Sequence, residues 1–179
     1  MIFNRMKWYQ GLLWAALLLL VACSSPVRSQ PIQTGPGTPT SASTPATTTP
    51  TVSRLADVLS VQVSGNSGAY TFAVEIASPD ENCFQYADWW EILDGEGNLL
   101  YRRVLTHSHV DEQPFTRSGG PVPIEPDTVV WVRAHMNIDG YGGAAFKGSV
   151  QDGFETTALD AGFAANLANQ APLPQDCAF

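Results

Sequence analysis

Residues Ala69–Ala77, AYTFAVEIA, carry the pattern that decides the fold class of this chain. Every second side chain is large and apolar, whereas Thr71 and Glu75 fall on the opposite face. The apolar face consists of Tyr70, Phe72, Val74 and Ile76. A period of two is typical of a β-strand that buries one face and exposes the other.

Similar segments lie on both sides of this strand, separated by turn residues about every 8–12 positions. Further strands are expected at 58–63, 87–93, 99–105, 128–136 and 144–150. Residues 113–124 hold three prolines and two glycines and are expected to be irregular or an edge strand. About seven short strands without a strong helix predict an all-β protein, an antiparallel β-sandwich of immunoglobulin or fibronectin type. A jelly roll or a small barrel is the alternative.

The C-terminal tail, 154–179, is rich in alanine. Three of its large apolar residues are spaced four apart, which favours a short helix, although Gly162 counts against one. They are Leu159, Phe163 and Leu167.

The N-terminus has the features of a secretory signal. A basic start with Arg5 and Lys7 precedes the apolar run GLLWAALLLLVA at 11–22. This run is shorter than the roughly 20 residues that span a bilayer, as in a signal peptide. It ends in Leu20-Val21-Ala22-Cys23, which resembles the lipobox of bacterial lipoproteins. An ordinary cleaved signal with a chance cysteine is the alternative.

The lipobox resemblance implies that residues 1–22 are a signal peptide and that Cys23 carries a diacylglycerol as the mature N-terminus. Ser24 in place of aspartate then favours the outer membrane, if the organism is Gram-negative. Residues 23–52 are dominated by Ser, Thr and Pro, and such a segment cannot bury enough surface to fold, so a disordered tether is expected. Residues 53–179 are long enough for one domain, the predicted sandwich.

The charge balance limits the partners of the mature chain. Loss of Arg5 and Lys7 leaves seven basic residues against 17 acidic ones, a net charge of −10. Binding to nucleic acid is not expected, because it depends on neutralising phosphates with Lys and Arg. Adsorption to anionic lipid is not expected either. The membrane contact is therefore assigned to the N-terminal lipid.

With Cys23 acylated, Cys83 and Cys177 remain. An exported chain meets an oxidising compartment, so the pair is predicted to form a disulfide. Two free, buried thiols are the alternative.

Candidate metal ligands concentrate in Tyr101–Pro123. His107 and His109 project to the same side of an extended backbone, Glu112 can add an oxygen, and His135 lies on the outward face of a later strand. Three imidazoles and a carboxylate suit a transition metal such as zinc or copper. The spacing HxHxxE also resembles the cupin metal motif, without its flanking glycines. Alternatively, the histidines form hydrogen bonds within a polar loop and bind nothing.

A second candidate is a binding surface for a small anion or a glycan. Arg103, Arg117 and Arg133 could hold a carboxylate, sulfate or phosphate, together with Arg102. Salt bridges to nearby carboxylates are the favoured alternative; these are Asp88, Glu91, Asp111 and Glu112. Trp131 could stack on a sugar, beside Tyr141 and one of the adjacent Trp89 and Trp90, which must face opposite sides of their strand. The other tryptophan is expected in the sandwich core.

No catalytic residue is predicted, since no nucleophile motif stands out in the sequence. The stretch HSHVDEQPFTRSGGPV, with VRAHMN, YGG and FKGSV after it, resembles an uncharacterised bacterial exported domain. This resemblance implies no activity. The sequence therefore favours a lipid-anchored binding or envelope-associated module. A protein is a further candidate partner. The alternative is a metal-binding protein or metal-dependent enzyme that uses the histidines.

Overall fold

The structure is a computed structural model that describes residues 53–178. The predicted signal peptide, Cys23 and the tether lie outside the described residues. The described part forms eight strands and one short 3-10 helix. The strands are β1 (Asp57–Asn66), β2 (Ala69–Ala77), β3 (Ala87–Leu93), β4 (Leu99–Val104), β5 (Phe115–Val122), β6 (Val130–Met136), β7 (Ala145–Ser149) and β8 (Gly153–Thr157). The 3-10 helix spans Ala165–Asn169.

The strands form two antiparallel sheets, β1-β2-β5 and β4-β3-β6-β7-β8. This order places β1, β2 and β5 where the A, B and E strands of an immunoglobulin-type sandwich lie, and β3, β6 and β7 where C, F and G lie. The predicted all-β sandwich is therefore confirmed, with eight strands in the described part.

The core forms as the alternation in the sequence predicts. The apolar residues of β2 are buried, and Phe72, Val74 and Ile76 have no exposed surface. Trp90, also fully buried, belongs to the same core cluster and is the core tryptophan of β3. Trp89 lies outside that cluster, on the opposite face of the five-stranded sheet.

Strand β5 lies at the edge of the three-stranded sheet and pairs with β2, although its sequence is rich in Gly and Pro. A Cβ on Gly119 would come within 2.6 Å of the Tyr101 hydroxyl, and one on Gly120 within 2.6 Å of the Tyr70 carbonyl oxygen. The glycines therefore allow this strand to pack closely against its neighbours, and an edge position tolerates its proline.

The tail forms a short 3-10 helix, and not the longer helix that would place Leu159, Phe163 and Leu167 on one face. The tail begins as β8, which makes a hairpin with β7, and continues to the 3-10 helix, where Leu167 is buried. Gly153 at the turn has φ +87°, a conformation that favours glycine. Leu159 and Phe163, the other members of the predicted helical face, are only half-buried.

The tail crosses the outer face of the five-stranded sheet, where a buried ion cluster holds it. Glu91, with no exposed surface, accepts hydrogen bonds at 2.8 Å from the Nε atoms of both Arg102 and Arg133. The two guanidinium groups also donate to five backbone carbonyls of the tail, those of Phe163, Ala164, Leu167, Gln170 and Pro172. The face of β3 and β6 that the sequence pattern directs outward is therefore buried as well.

The predicted disulfide between Cys83 and Cys177 is confirmed, with a Cα–Cα distance of 5.6 Å. It joins the end of the tail to the loop between β2 and β3. Among residues 53–178, no helix is long and apolar enough to cross a bilayer.

Candidate functional site

A cleft of about 550 Å³ opens at the end of the sandwich where two long loops meet. One loop, 78–86, connects β2 to β3, and the other, 105–114, connects β4 to β5. The residues that line the cleft come from both loops and from the end of the tail. They are Glu81, Asn82, His107, Ser108, His109, Val110, Asp111, Glu112 and Ala178.

Asp80 joins the two loops. Its Oδ1 accepts hydrogen bonds from the Ser78 hydroxyl at 2.7 Å and the Ala87 N–H at 2.9 Å, both in the first loop or at its end. Its Oδ2 accepts a hydrogen bond from the His109 N–H at 2.8 Å, in the second loop. This buried carboxylate therefore fixes the backbone of one cleft wall relative to the other.

The tail supports the cleft from a third side. Cys177 is bonded to Cys83, and the N–H of the next residue, Ala178, donates to the Thr106 carbonyl. Because Ala178 lines the cleft, the disulfide and this hydrogen bond hold its rim in place.

Two imidazoles lie side by side in the cleft. The ring centroids of His107 and His109 are 4.5 Å apart, and the His109 ring stacks on Phe115 at 3.8 Å. The His109 side chain is almost entirely buried, yet neither ring nitrogen has a hydrogen-bond partner among the described residues. Its Nδ1 lies 3.7 Å from Asp80 Oδ2, beyond hydrogen-bond distance.

The environment of His109 favours the neutral imidazole. Burial lowers its pKa below the ordinary value, and the positive charges of Arg117 and His107 act in the same direction. Asp80 and Glu112 oppose this shift. A neutral imidazole keeps one nitrogen lone pair available to a ligand.

The rim of the cleft is acidic. Glu81, Asp111 and Glu112 are exposed there. Arg117 pairs with Glu112 at 2.5 Å, and this hydrogen bond, followed by the charge of Arg117, lowers the pKa of Glu112. Glu112 is therefore held by Arg117. The other two rim carboxylates, Glu81 and Asp111, form no ion pair within the described part of the chain.

The third histidine, His135, lies in a different environment. Its ring stacks on Trp89 at 3.8 Å, and its Nδ1 is 2.7 Å from Asp88 Oδ1. Burial raises the pKa of Asp88, while the hydrogen bond with His135 acts in the opposite direction.

The sequence predicts a four-residue metal site from His107, His109, Glu112 and His135, and the described residues do not gather this set around one point. Within residues 53–178, no three His, Cys, Asp or Glu side chains are arranged to hold a metal ion. His107 and His109 are the two members of the predicted set that the fold places in ring contact.

The expected anion site is also dispersed. Arg133, with Arg102, is buried against Glu91, and Arg117 pairs with Glu112. These pairs confirm the salt-bridge alternative for three of the four arginines. The fourth, Arg103, is exposed and donates to the Val104 carbonyl.

The aromatic residues do not form the expected open platform for a glycan. Trp89, Trp90 and Tyr141 are buried. Arg102 lies 4.3 Å above the Trp89 ring, so the tail-binding cluster covers this side chain. Trp131 is half-buried, with the Lys147 ammonium 4.6 Å from its ring centroid.

The role of the loop before β3 leaves no recognisable pattern in the sequence. The segment Ser78-Pro79-Asp80-Glu81-Asn82 indicates only a break between strands, because each of its residue types is common in turns. A single Asp that bonds the backbone of a segment 29 residues away leaves no periodic signal in the sequence.

Comparisons with known proteins give one informative match. The chain is 38% identical over 101 residues to a protein of Halomicrobium mukohataei named "Putative lipoprotein". The matched segment covers 56% of this chain and 50% of that protein, so this chain spans about half the length of its relative. No protein-family profile and no solved structure match the chain. The relative's name supports an exported lipoprotein of unknown role.

Proposed function

We propose that this chain is a lipid-anchored, exported protein whose sandwich is a non-enzymatic binding module of the cell envelope. The lipobox resemblance at Cys23 and the name of the relative support the anchor. In a Gram-negative organism, Ser24 directs the protein to the outer membrane. The ligand binds in the cleft between loops 78–86 and 105–114.

The observation that carries this proposal is the preorganised cleft. Asp80, the Cys83–Cys177 bridge and the Arg117–Glu112 pair hold its walls. Preformed concave sites with a few directed polar groups are typical binding sites. Loops at one end of a rigid sandwich are also where variable immunoglobulin domains bind their ligands.

Site-specific photo-crosslinking in intact cells tests the use of this cleft. A photoreactive amino acid at Val110, 48% exposed in the cleft, is compared with one at Val129, 47% exposed. Val129 precedes β6 at the opposite end of the sandwich, because the last residue of β6, Met136, pairs with Ala87 beside the cleft loops. The two positions therefore match in residue type and exposure and differ in location.

A discrete adduct that forms from position 110 and not from position 129 supports a ligand site in the cleft. Equal labelling from both positions, or no adduct from either, contradicts it. Both variants must first reach the membrane fraction in the same amount as the wild type.

A further inference from the structure

We propose that the cleft binds one divalent transition-metal ion, with the imidazoles of His107 and His109 as its protein ligands. The proposal rests on the binding cleft described above and names the chemical class of its ligand. It differs from the site expected from sequence, because His135 and Glu112 have no part in it.

The spacing of the two rings fits one shared ion. With a metal–nitrogen bond of about 2.1 Å, two imidazoles bound at roughly 90–110° have ring centroids about 4.5–5.3 Å apart, the shorter value belonging to an angle near 90°. The observed centroid distance between His107 and His109 is 4.5 Å. Both residues line the same cleft. Because the His109 nitrogens are buried, a small rearrangement of the His109 ring or the loop admits the ion.

His109 has the surroundings of a metal ligand. Metal-bound histidines commonly direct their second ring nitrogen toward a carboxylate, which fixes the ring and its tautomer. Asp80 Oδ2 lies 3.7 Å from Nδ1 of His109, which leaves Nε2 as the nitrogen for the ion. A bond from Nε2 to the metal, together with a hydrogen bond from Nδ1–H to Asp80, would give both buried nitrogens of His109 a partner. Without partners, buried polar atoms cost free energy.

Charge favours a cation in this cleft. Glu81, Asp111 and Glu112 line the same cleft as the imidazoles, and Arg117 neutralises one of these carboxylates. Neutral imidazole nitrogens select Cu²⁺ and Zn²⁺ over Mg²⁺ and Ca²⁺, which prefer oxygen ligands. Because no third protein ligand is already in position among residues 53–178, the bound ion keeps open coordination positions.

Copper binding followed by electron paramagnetic resonance tests the proposal. The full chain is purified in mild detergent without a histidine tag and mixed with one equivalent of CuCl₂. Hyperfine couplings to nitrogen count the coordinated imidazoles. Competition with a chelator gives the affinity, and ZnCl₂ is then tested as a competitor for the same site.

We expect two coordinated imidazoles in the wild type and one in His107→Ala. We expect Asp80→Asn to retain two imidazoles and to weaken the affinity by about tenfold, as the loss of a carboxylate that orients a metal-bound imidazole does. His107 is exposed, so its removal leaves the fold intact. His135→Asn, a histidine change outside the cleft, is the matched control and should give the wild-type spectrum.

A wild-type spectrum without two imidazoles, or one that His107→Ala leaves unchanged, overturns the metal site. This failure is distinct from failure of the binding module. If a cross-link forms from position 110 alone and no copper binds, the cleft is still a binding site but its ligand is not a metal ion.

Discussion

Glu91 shows at the scale of one residue how this fold uses charge. Its buried carboxylate neutralises Arg102 and Arg133, and these in turn hold the tail backbone. Removing one partner of a buried ion pair leaves an uncompensated charge inside the protein. The charge of Glu91 is therefore more important for stability than that of any exposed pair.

We predict that Glu91→Gln, which keeps the side-chain shape, lowers the free energy of unfolding by about 3–5 kcal/mol. Urea denaturation followed by tryptophan fluorescence measures the change. Glu112→Gln is the control, because that carboxylate is in an exposed pair and its loss should leave the midpoint nearly unchanged. Similar effects of the two substitutions would show that burial of the Glu91 cluster has no special role.

Tyr141 gives a prediction for the dependence of stability on pH. Burial, followed by the nearby charge of Glu91, raises its pKa from 10.0 to about 12. The unfolded chain ionises this phenol near pH 10, before the folded chain does, so its contribution to stability is present below pH 10 and is lost as pH rises toward 12. Between pH 9 and 11, we predict that the wild type loses about 1.4 kcal/mol more stability than Tyr141→Phe, which corresponds to one pKa unit.

Urea titrations of both proteins at pH 9 and pH 11 measure this difference. The substitution also changes stability by an amount that does not depend on pH. The informative quantity is therefore how the stability difference between the two proteins changes with pH. Parallel pH profiles for the two proteins would contradict a raised pKa for Tyr141.

At the scale of an element, the tail depends on tertiary contacts. It holds one short 3-10 helix, and its position is fixed by the Arg102 and Arg133 contacts and by the Cys83–Cys177 bridge. The bridge closes a loop with a sequence separation of 94 residues. A loop of this length restricts the unfolded chain strongly.

We predict that the double substitution Cys83→Ser/Cys177→Ser lowers the free energy of unfolding by about 4 kcal/mol, on the chain-entropy account. Urea denaturation measures it. The wild type after reduction is the control and should match the variant. A change of less than about 1 kcal/mol would mean that the bridge adds little beyond the ion cluster.

The strands could be predicted where side-chain burial alternates regularly. The segments 69–77 and 87–93 coincide with β2 and β3. For β5 the sequence predicts an irregular segment or an edge strand, and the edge position is confirmed. Its glycines serve close contacts with Tyr101 and Tyr70 that no local pattern reveals. In the tail, apolar spacing makes a short helix possible and Gly162 counts against it, whereas tertiary contacts decide its structure.

In the candidate site as well, local sequence patterns reveal neighbouring residues but not tertiary contacts. The HxH spacing predicts that His107 and His109 lie close together, and their ring centroids are 4.5 Å apart. The sequence pattern predicts His135 on the outward face of its strand, whereas the tail covers that face and Asp88 holds the ring. Asp80 could not be identified, since its role depends on the contact between two loops distant in sequence.

At the scale of the whole molecule, the proposed anchor predicts where the protein is found. We predict that Cys23→Ser transfers the protein from the membrane fraction to the soluble fraction, because the mature chain is acidic and has no electrostatic attraction to anionic lipid. Immunoblots after ultracentrifugation measure the distribution. Ser24→Ala is the control and should remain in the membrane fraction. A variant at Cys23 that stays membrane-bound would contradict the lipid anchor.

The metal content of the full chain, purified from its own cells without a histidine tag, tests the central claim about the cleft most directly. Mass spectrometry of the metals is performed beside His107→Ala/His109→Ala. We predict close to one transition-metal ion per chain in the wild type and its loss in the variant. A wild type that holds no metal, even after incubation with zinc and copper, would contradict the account and assign the two histidines to the structure of the loop.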